Sequence, residues 1–466
     1  MKKGKRLFCC LLAVGVMICV CACGQQTGDR ENPQQNQLVS EEDLKRMEEE
    51  REATEIIIGL WEGPRKHVMT TQEEANQRYE EIKAAGINMV YLYAELQDED
   101  WLEKSLCAAE TVGVSVMIDL GGVYTDKTKF YRAVEQTKDS PAVIGYNIVD
   151  EPSYQNFNKI KTVAGLLREE ISADKIILCN LLPNYAQNSA LAAEAQDGKT
   201  FYQTYLDTFC ATVPVNILHF DYYPYNLNPK GDPASIRNMV VNLVDIRNTA
   251  EKYGITIGGF LQSCRWGSYD DNGTWKGTRI PNEAEYRFIA NLHLVFGAKT
   301  MTNFLYWSRN GSDPNQRVGG IFDGLITYEG EQTPVYGIVQ KTNQAIHAMK
   351  GVYLSYTHDG FLTVGLPEDV EAVLKETLLL NSYDMVKEIE SDGQILAGCF
   401  RDNGKKGLYI MNFERAGSEE SQVTVKLEKT CTYQVWGAGG LEQAGSGSEI
   451  TVSLLPGAGC FVELES

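Results

Sequence analysis

From about residue 54 onward, short runs of β-branched and aromatic residues alternate with longer stretches whose apolar positions recur every three or four residues. The runs 55–61, 88–94, 115–120, 143–149, 175–180, 216–221, 256–262 and 299–307 predict eight strands. The stretches 71–85, 101–112, 157–172, 236–253 and 282–296 between them predict amphipathic helices. Gly86, Gly113, Gly254 and Gly297 stand between such a helix and the next strand, where a helix end favours a residue that tolerates left-handed backbone. Strands that alternate with helices pair in parallel, because each crossover returns the chain to the same end of the sheet. Eight such units predict an α/β fold, a (β/α)8 TIM barrel. The alternative, an open doubly wound sheet, asks for a glycine-rich phosphate loop after the first strand. The segment Gly59-Leu-Trp-Glu-Gly63 does not supply one.

Beyond the eighth strand, Pro334 opens a last helix over 335–350, with Ile338, Asn343, Ile346 and Met349 spaced for one face. From about His358 the period changes to two. Runs at 395–399, 408–413, 421–427, 432–436, 449–454 and 459–464 are separated by Gly, Asn and Ser turns. They predict a C-terminal antiparallel β-sandwich over 358–466, following a barrel over 54–357. The sandwich holds no cluster of acids, so its expected role is structural or a weak carbohydrate contact.

The N-terminus has a different pattern. Lys2, Lys3, Lys5 and Arg6 precede an apolar stretch, 7–20, too short for a comfortable membrane span. Val20-Cys21-Ala22-Cys23 resembles a bacterial lipobox, which makes 1–22 a lipoprotein signal peptide and Cys23 the residue to be lipidated. A plain secretory signal or an uncleaved anchor is the alternative. The expected location is the outer face of a bacterial membrane, held there by a lipid anchor. Residues 23–53 are rich in Gln, Glu and Asn with little apolar periodicity and read as a flexible tether, with a short helix over 41–52.

Composition narrows the partners. The chain carries a formal charge of −20, and loss of the four N-terminal cations makes it −24. That disfavours nucleic acid and acidic polysaccharides and leaves neutral sugars compatible. Beyond Cys23, seven cysteines are scattered without CxxC spacing, and the chain has only five histidines. Neither a disulfide scaffold nor a metal centre is expected, and no cofactor is called for.

In a barrel, function gathers at the carboxyl ends of the strands. Those ends read Trp61 and Glu62; Tyr93 and Glu95; Asp119; Asp150 and Glu151; Asn180; Asp221, Tyr222 and Tyr223; Gln262 and Ser263; Tyr306, Trp307 and Arg309. Sugars are held by such sets, their ring faces on aromatics and their hydroxyls on carboxylates and amides. The loop 264–279 adds Trp266, Tyr269 and Trp275 and is expected to wall the cleft. The fourth run is the most telling, because Asp150 and Glu151 end it and Pro152 turns the chain. Paired carboxylates at a strand end suit glycosidic bond cleavage. In the bland alternative, Asp150 caps the next helix and Glu151 is merely solvated.

Three segments carry a family resemblance: Asp150-Glu151-Pro152; Arg279-Ile-Pro-Asn-Glu-Ala-Glu285 opening a long helix; and Phe296-Gly-Ala-Lys-Thr-Met-Thr-Asn-Phe-Leu-Tyr-Trp307 at the eighth strand. With the terminal Leu455-Pro-Gly-Ala-Gly-Cys-Phe461, the chain resembles clan A glycoside hydrolases, most closely the family 42 β-galactosidase-like group. The resemblance implies a glycoside hydrolase acting on neutral oligosaccharides or polysaccharides, with Glu151 as general acid/base. It puts Asp150 where the family usually has an asparagine, and Gln262 where it has its nucleophilic glutamate. An amide cannot ionise, so three routes stay open. Another carboxylate serves, Asp221 first and Asp119 or Glu95 behind it. Alternatively, a substrate 2-acetamido group attacks while Asp150 orients it, as the similarity of Asp-Glu-Pro to the family 123 pattern suggests. In the third, catalysis is lost and the barrel is a surface glycan-binding lipoprotein. Trp61, Tyr93, Glu95, Asp119, Asn180, Tyr223, Gln262, Trp266 and Trp307 are the expected sugar contacts.

Overall fold

The computed structural model describes residues 37–94, 98–309, 320–376 and 378–465. The predicted runs form strands β1 (Ile57–Leu60), β2 (Met89–Tyr93), β3 (Ser115–Asp119), β4 (Val143–Asp150), β5 (Ile176–Leu181), β6 (Ile217–Phe220), β7 (Thr256–Gln262) and β8 (Thr300–Phe304). Each pairs in parallel with its sequence neighbours, and β8 pairs with both β7 and β1, which closes the barrel. Closure leaves the strands covered on both faces, and every residue of β2 is buried. Helices α1 (Gln72–Ala84), α2 (Glu99–Val112), α3 (Lys127–Thr137), α4 (Phe157–Glu170), α5 (Phe201–Thr212), α6 (Asp232–Tyr253), α7 (Glu283–Val295) and α8 (Pro334–Ala348) follow the strands in turn.

Local chemistry explains the boundaries. Thr71 and Asn282 form capping boxes with Glu74 and Glu285, so four otherwise unpaired backbone and side-chain groups are satisfied at the starts of α1 and α7. Gly113 and Gly254 end α2 and α6 at φ of 75° and 66°, a left-handed backbone that a side chain would resist. Inside β4, Gly145 lies so close to β5 that a Cβ there would meet the Ile176 carbonyl oxygen at 2.4 Å.

The C-terminal region is antiparallel, as its period of two predicts. Strands β9 (Thr357–Val364), β10 (Val386–Ser391), β11 (Ile395–Asp402), β12 (Lys405–Asn412), β13 (Ser421–Gly437), β14 (Gly440–Leu454) and β15 (Gly459–Glu465) form a sheet in the order β14-β13-β15-β12-β11-β9. β13 is one 17-residue strand where two short ones are expected, with a bulge between Lys426 and Cys431. Its first half pairs with β10 and its second half with β15, so the sheet doubles over into a sandwich-like layer. Alternation sorts the side chains. Ile395, Ala397, Cys399, Leu408 and Ile410 fill the fold of the sheet. Leu396, Phe400, Tyr409 and Met411 face the other way and join the main core with the barrel helices. Tyr409 donates a 2.7 Å hydrogen bond to Asn291 of α7 across that junction.

The second part of the expected tether is docked. Gln37 and Leu38 pair with Ser446 and Gly445 at the edge of the sheet. The helix Glu41–Glu50 follows, capped by Ser40. Arg51 then makes two hydrogen bonds to Glu463, at 2.5 and 3.2 Å. Low apolar content hides this, because the helix buries no residue completely and is held by its ends. Glu463 is 6% exposed and also accepts from Tyr356 and from the Trp436 indole, which joins the strap, the sheet and the chain after α8. Arg51→Ala leaves this buried carboxylate short of its cation and is expected to cost about 1–3 kcal/mol. The denaturation midpoint measures it, and an unchanged midpoint would show the strap to be energetically idle.

Candidate active site

Two acids at the barrel mouth have backbone that their residue type resists. Glu62, after β1, has φ of 66°, and Glu151, after β4, has φ of 46°. In regular strand, consecutive side chains point to opposite faces. The left-handed residue at 151 breaks that alternation, and Asp150 and Glu151 both line one cavity of about 330 Å³. Such backbone costs on the order of 1–3 kcal/mol and concentrates at functional sites.

The cavity has aromatic walls. Trp61, Tyr93 and Phe260 form one cluster, with ring centroids 5.4–5.5 Å from Trp61. Tyr223, Trp266 and Phe304 form another, with Trp266 4.9 Å from Tyr223. Trp266 comes from the hairpin Arg265–Tyr269 and Trp275–Gly277, which pairs with a third strand, Ile321–Asp323, and so brings in Phe322. The loop expected to wall the cleft does so through Trp266. Tyr185, 55% exposed, stands at the rim.

Polar groups are arranged in a chain beneath the acids. Asp119 accepts from the Asn147 amide at 2.8 Å, and Asn147 accepts from the Asn180 backbone N–H at 3.3 Å. Burial lowers His219 to about 3, so the ring is neutral. Its Nδ1 lies 2.9 Å from the Asn180 Oδ1, which accepts from it. That fixes the amide so that Asn180 Nδ2 donates to Asp150 at 2.9 Å.

Glu151 and Asp221 are within hydrogen-bonding reach of each other. Glu151 is exposed where it lines the cleft, yet the surrounding protein resists its ionisation. That burial, followed by the charge of Asp150, pushes its carboxyl up to about 7, against a smaller opposing effect of the Asp221 hydrogen bond. Asp221 is 7% exposed, and burial, then Glu151, then Asp150 raise it well above the carboxylate range. Two carboxyls in contact hold one proton between them near neutral pH. On the far side of the mouth, Glu62 is buried and paired with Arg65, at 3.0 Å, and with Arg309.

The cavity thus brings together Asp150, Glu151, Asp221, Trp61, Tyr93, Asn180, Tyr223 and Trp266 from the predicted set. Three others are elsewhere. Gln262 is buried beneath the wall, where its amide accepts from Tyr225 N–H and donates to the Tyr225 and Arg279 carbonyls at 2.9–3.0 Å. It ties two loop segments together and contacts no cleft space. Asp119 is fully buried in the polar chain described above. Trp307 is buried with its indole N–H donating to the Gly63 carbonyl at 2.8 Å. Glu95 and Cys23 lie outside the described residues. The cavity adds Glu62, Tyr185, Phe260, Phe304, Arg309 and Phe322. Of these, Glu62 and Arg309 had a signal in the chain, opposite charges at the ends of two strands that closure makes neighbours. Among the described residues, no group of His, Cys, Asp or Glu is arranged to hold a metal ion. A larger cavity of about 410 Å³ lies at the opposite end of the barrel, lined by strand starts such as Ile57, Ser115 and Val143, and holds none of these acids.

No family model matches the chain, and no curated protein matches it. Among solved structures, a Bacteroides vulgatus family 5 glycoside hydrolase is similar at 11% identity and a TM-score of 0.48, over 88% of this chain and 89% of that one. A Ruminococcus gnavus β-glucuronidase in complex with D-glucuronic acid aligns at 10% identity and a TM-score of 0.42, over 62% of this chain. A Bifidobacterium dentium β-glucuronidase complexed with coumarin-3-O-glucuronide aligns at 10% and 0.43, again over 62%. The chain spans 49% and 46% of the lengths of these two glucuronidases.

Two outcomes follow from this geometry. Gln262→Glu removes the two N–H donors and sets a carboxylate against two carbonyls, and is expected to lower stability by about 2–4 kcal/mol. A variant as stable as the parent would show that the residue does not tie the loops. For Glu151, folding raises the carboxyl from the ordinary 4.5 to about 7, so folding favours the neutral form. Its contribution is full below about 4.5 and is lost as pH rises through about 7. Glu151→Gln is therefore expected to melt like the parent near pH 4.5 and higher than it at pH 8, by on the order of 2 °C once solvent screening in the open cleft is allowed for. An equal difference at both pH values would contradict the raised carboxyl.

Proposed function

We propose that this chain is a glycoside hydrolase in which Glu151 is the general acid/base. The observation that carries the reading is the placement of Glu151 beside Asp150 and Asp221 in an aromatic-walled cavity at the carboxyl end of a closed barrel. A donor useful near neutral pH must keep its proton there and still release it to a weakly basic ether oxygen, and a carboxyl raised to about 7 meets both needs. The walls of Trp61, Tyr93, Tyr223 and Trp266 suit the apolar faces of sugar rings. Four acids line the cavity against one arginine, which supports neutral rather than anionic sugars.

The resemblance to family 42 supports the role of Glu151 and does not extend to the nucleophile, since Gln262 is turned into the loops. The lipobox at Val20-Cys21-Ala22-Cys23 supports a lipid-anchored enzyme acting on carbohydrate outside the cell. The test is a set of aryl glycosides with leaving groups of graded basicity. Glu151→Gln is expected to lower kcat/KM by about 10²–10⁴-fold on a poor leaving group and far less on a dinitrophenolate. In the parent, kcat/KM falls as pH rises above about 7, because the donor loses its proton. An unchanged rate in Glu151→Gln removes this residue from the mechanism.

A further inference from the structure

A glycosidase holds one sugar at the point of cleavage and releases whatever is joined through the oxygen that its acid protonates. The cavity that contains Glu151 measures about 330 Å³, at the small end of the range of ligand pockets, about 300–1,000 Å³. That is room for one sugar ring between the walls of Trp61, Tyr93, Tyr223 and Trp266. The unit beyond the bridging oxygen therefore lies at the rim, outward of Glu151.

Apolar surface left in water is concentrated at this end of the barrel. Of five large apolar side chains exposed among the described residues, Tyr185, Leu227 and Tyr269 stand on the loops that follow β5, β6 and β7. A single exposed residue of this kind is ordinary, but Tyr185 is held in place. It lines the same cavity as Glu151 while 55% exposed. The preceding residue, Asn184, donates its backbone N–H to Asn242 of α6 at 2.8 Å, and its side chain exchanges hydrogen bonds with Asn238 at 3.0 and 3.2 Å. Asn238 also donates to the Tyr222 hydroxyl at 2.9 Å. The Tyr222 ring in turn meets that of Tyr185 edge-on, with centroids 5.0 Å apart. A turn closed by the Ala186 N–H on the Pro183 carbonyl, at 3.1 Å, frames the residue. Burial of the hydroxyl end, then the charge of Asp221, raise it above the ordinary tyrosine range. The exposure thus belongs to the ring and not to the polar tip.

An aromatic ring fixed before anything binds loses little freedom when a second ring is laid on it. The Asp150 carboxylate in the same cavity accepts hydroxyl hydrogens, which favours a sugar ring over an apolar aglycone. Resting on the glycosidase reading above, we infer that Tyr185 is the platform for the leaving unit and that this unit is a second sugar ring. The substrate is then an oligosaccharide and not the glycoside of a small alcohol. Because such a contact is made before and during bond cleavage alike, it acts on KM more than on kcat.

The experiment compares leaving groups with and without a ring. The parent, Tyr185→Ala and Tyr185→Phe are assayed on the β-fluorides of glucose, galactose and N-acetylglucosamine and on β-linked disaccharides of the same sugars in each common linkage. We expect the ratio of kcat/KM on disaccharide to that on fluoride to fall about 10-fold in Tyr185→Ala, through KM, and to be kept in Tyr185→Phe, which retains the ring. A ratio unchanged in Tyr185→Ala, or one that falls as far in Tyr185→Phe, overturns the platform. Turnover of a fluoride by the parent with no disaccharide cleaved overturns the sugar leaving unit and leaves the glycosidase reading standing. No turnover of any substrate in the set overturns both.

Discussion

Two carboxyl groups that cannot both be ionised govern the architecture of the barrel mouth. Asp221 is buried at the end of β6 and Glu151 meets it from the end of β4. Separately, each would have to ionise in poor surroundings or stand as a lone acid. Together they hold one proton, and the neighbouring charge of Asp150 keeps that proton from leaving. The backbone at Glu151 is left-handed so that consecutive acids can share the cavity, and the tight contact of Gly145 with β5 holds that strand in register beneath them. The chain from His219 to Asn180 to Asp150 then sets which way each amide points. The chemistry available at the mouth follows from these constraints.

The surrounding fold supplies rigidity from several directions. Gln262 ties the loops at Tyr225 and Arg279, and Arg279 is itself held by Asp232 and Glu285 and stacked on the Tyr225 ring. The cleft wall is thereby fixed to the starts of α6 and α7. Those helices lead down to the C-terminal sheet, where Asn291 of α7 meets Tyr409. Among the described residues, the sheet contributes no acid to the cleft. It completes the core on the outer side of the barrel, and its Leu396, Phe400 and Tyr409 belong to the same apolar cluster as the barrel helices.

The barrel was readable in the chain because both of its signals are local. Strand runs recur eight times with helical stretches between them, four of which end at a glycine, and parallel pairing follows from that order. The strand ends were readable as a set, and Asp150, Glu151, Asp221, Asn180 and Trp266 do converge. Where individual residues went astray, the cause is direction. A residue at a strand end points into the mouth or into the wall according to a turn of one position. β8 stops at Phe304, so Trp307 lies three residues beyond it and turns to the Gly63 carbonyl. Asp119 closes β3 facing Asn147, and Gln262 finds loop backbone within reach. Tyr185 and Phe322 arrive on loops with no period to read. In the C-terminal sheet, the exposed Glu428, Lys429 and Thr430 look like a turn but lie at the bulge of a continuous strand.

The strap at residues 37–51 has a bearing on how the molecule avoids sticking to its own copies. An antiparallel sheet that stops at β14 would offer a row of unpaired backbone donors and acceptors to any passing strand. Gln37 and Leu38 occupy part of that row, Val39 adds a bond to the Ala444 carbonyl, and Glu48 receives the Leu441 amide. The segment that leads toward the chain's beginning thus also blunts a sticky edge, and a fragment beginning after it would be expected to self-associate along β14.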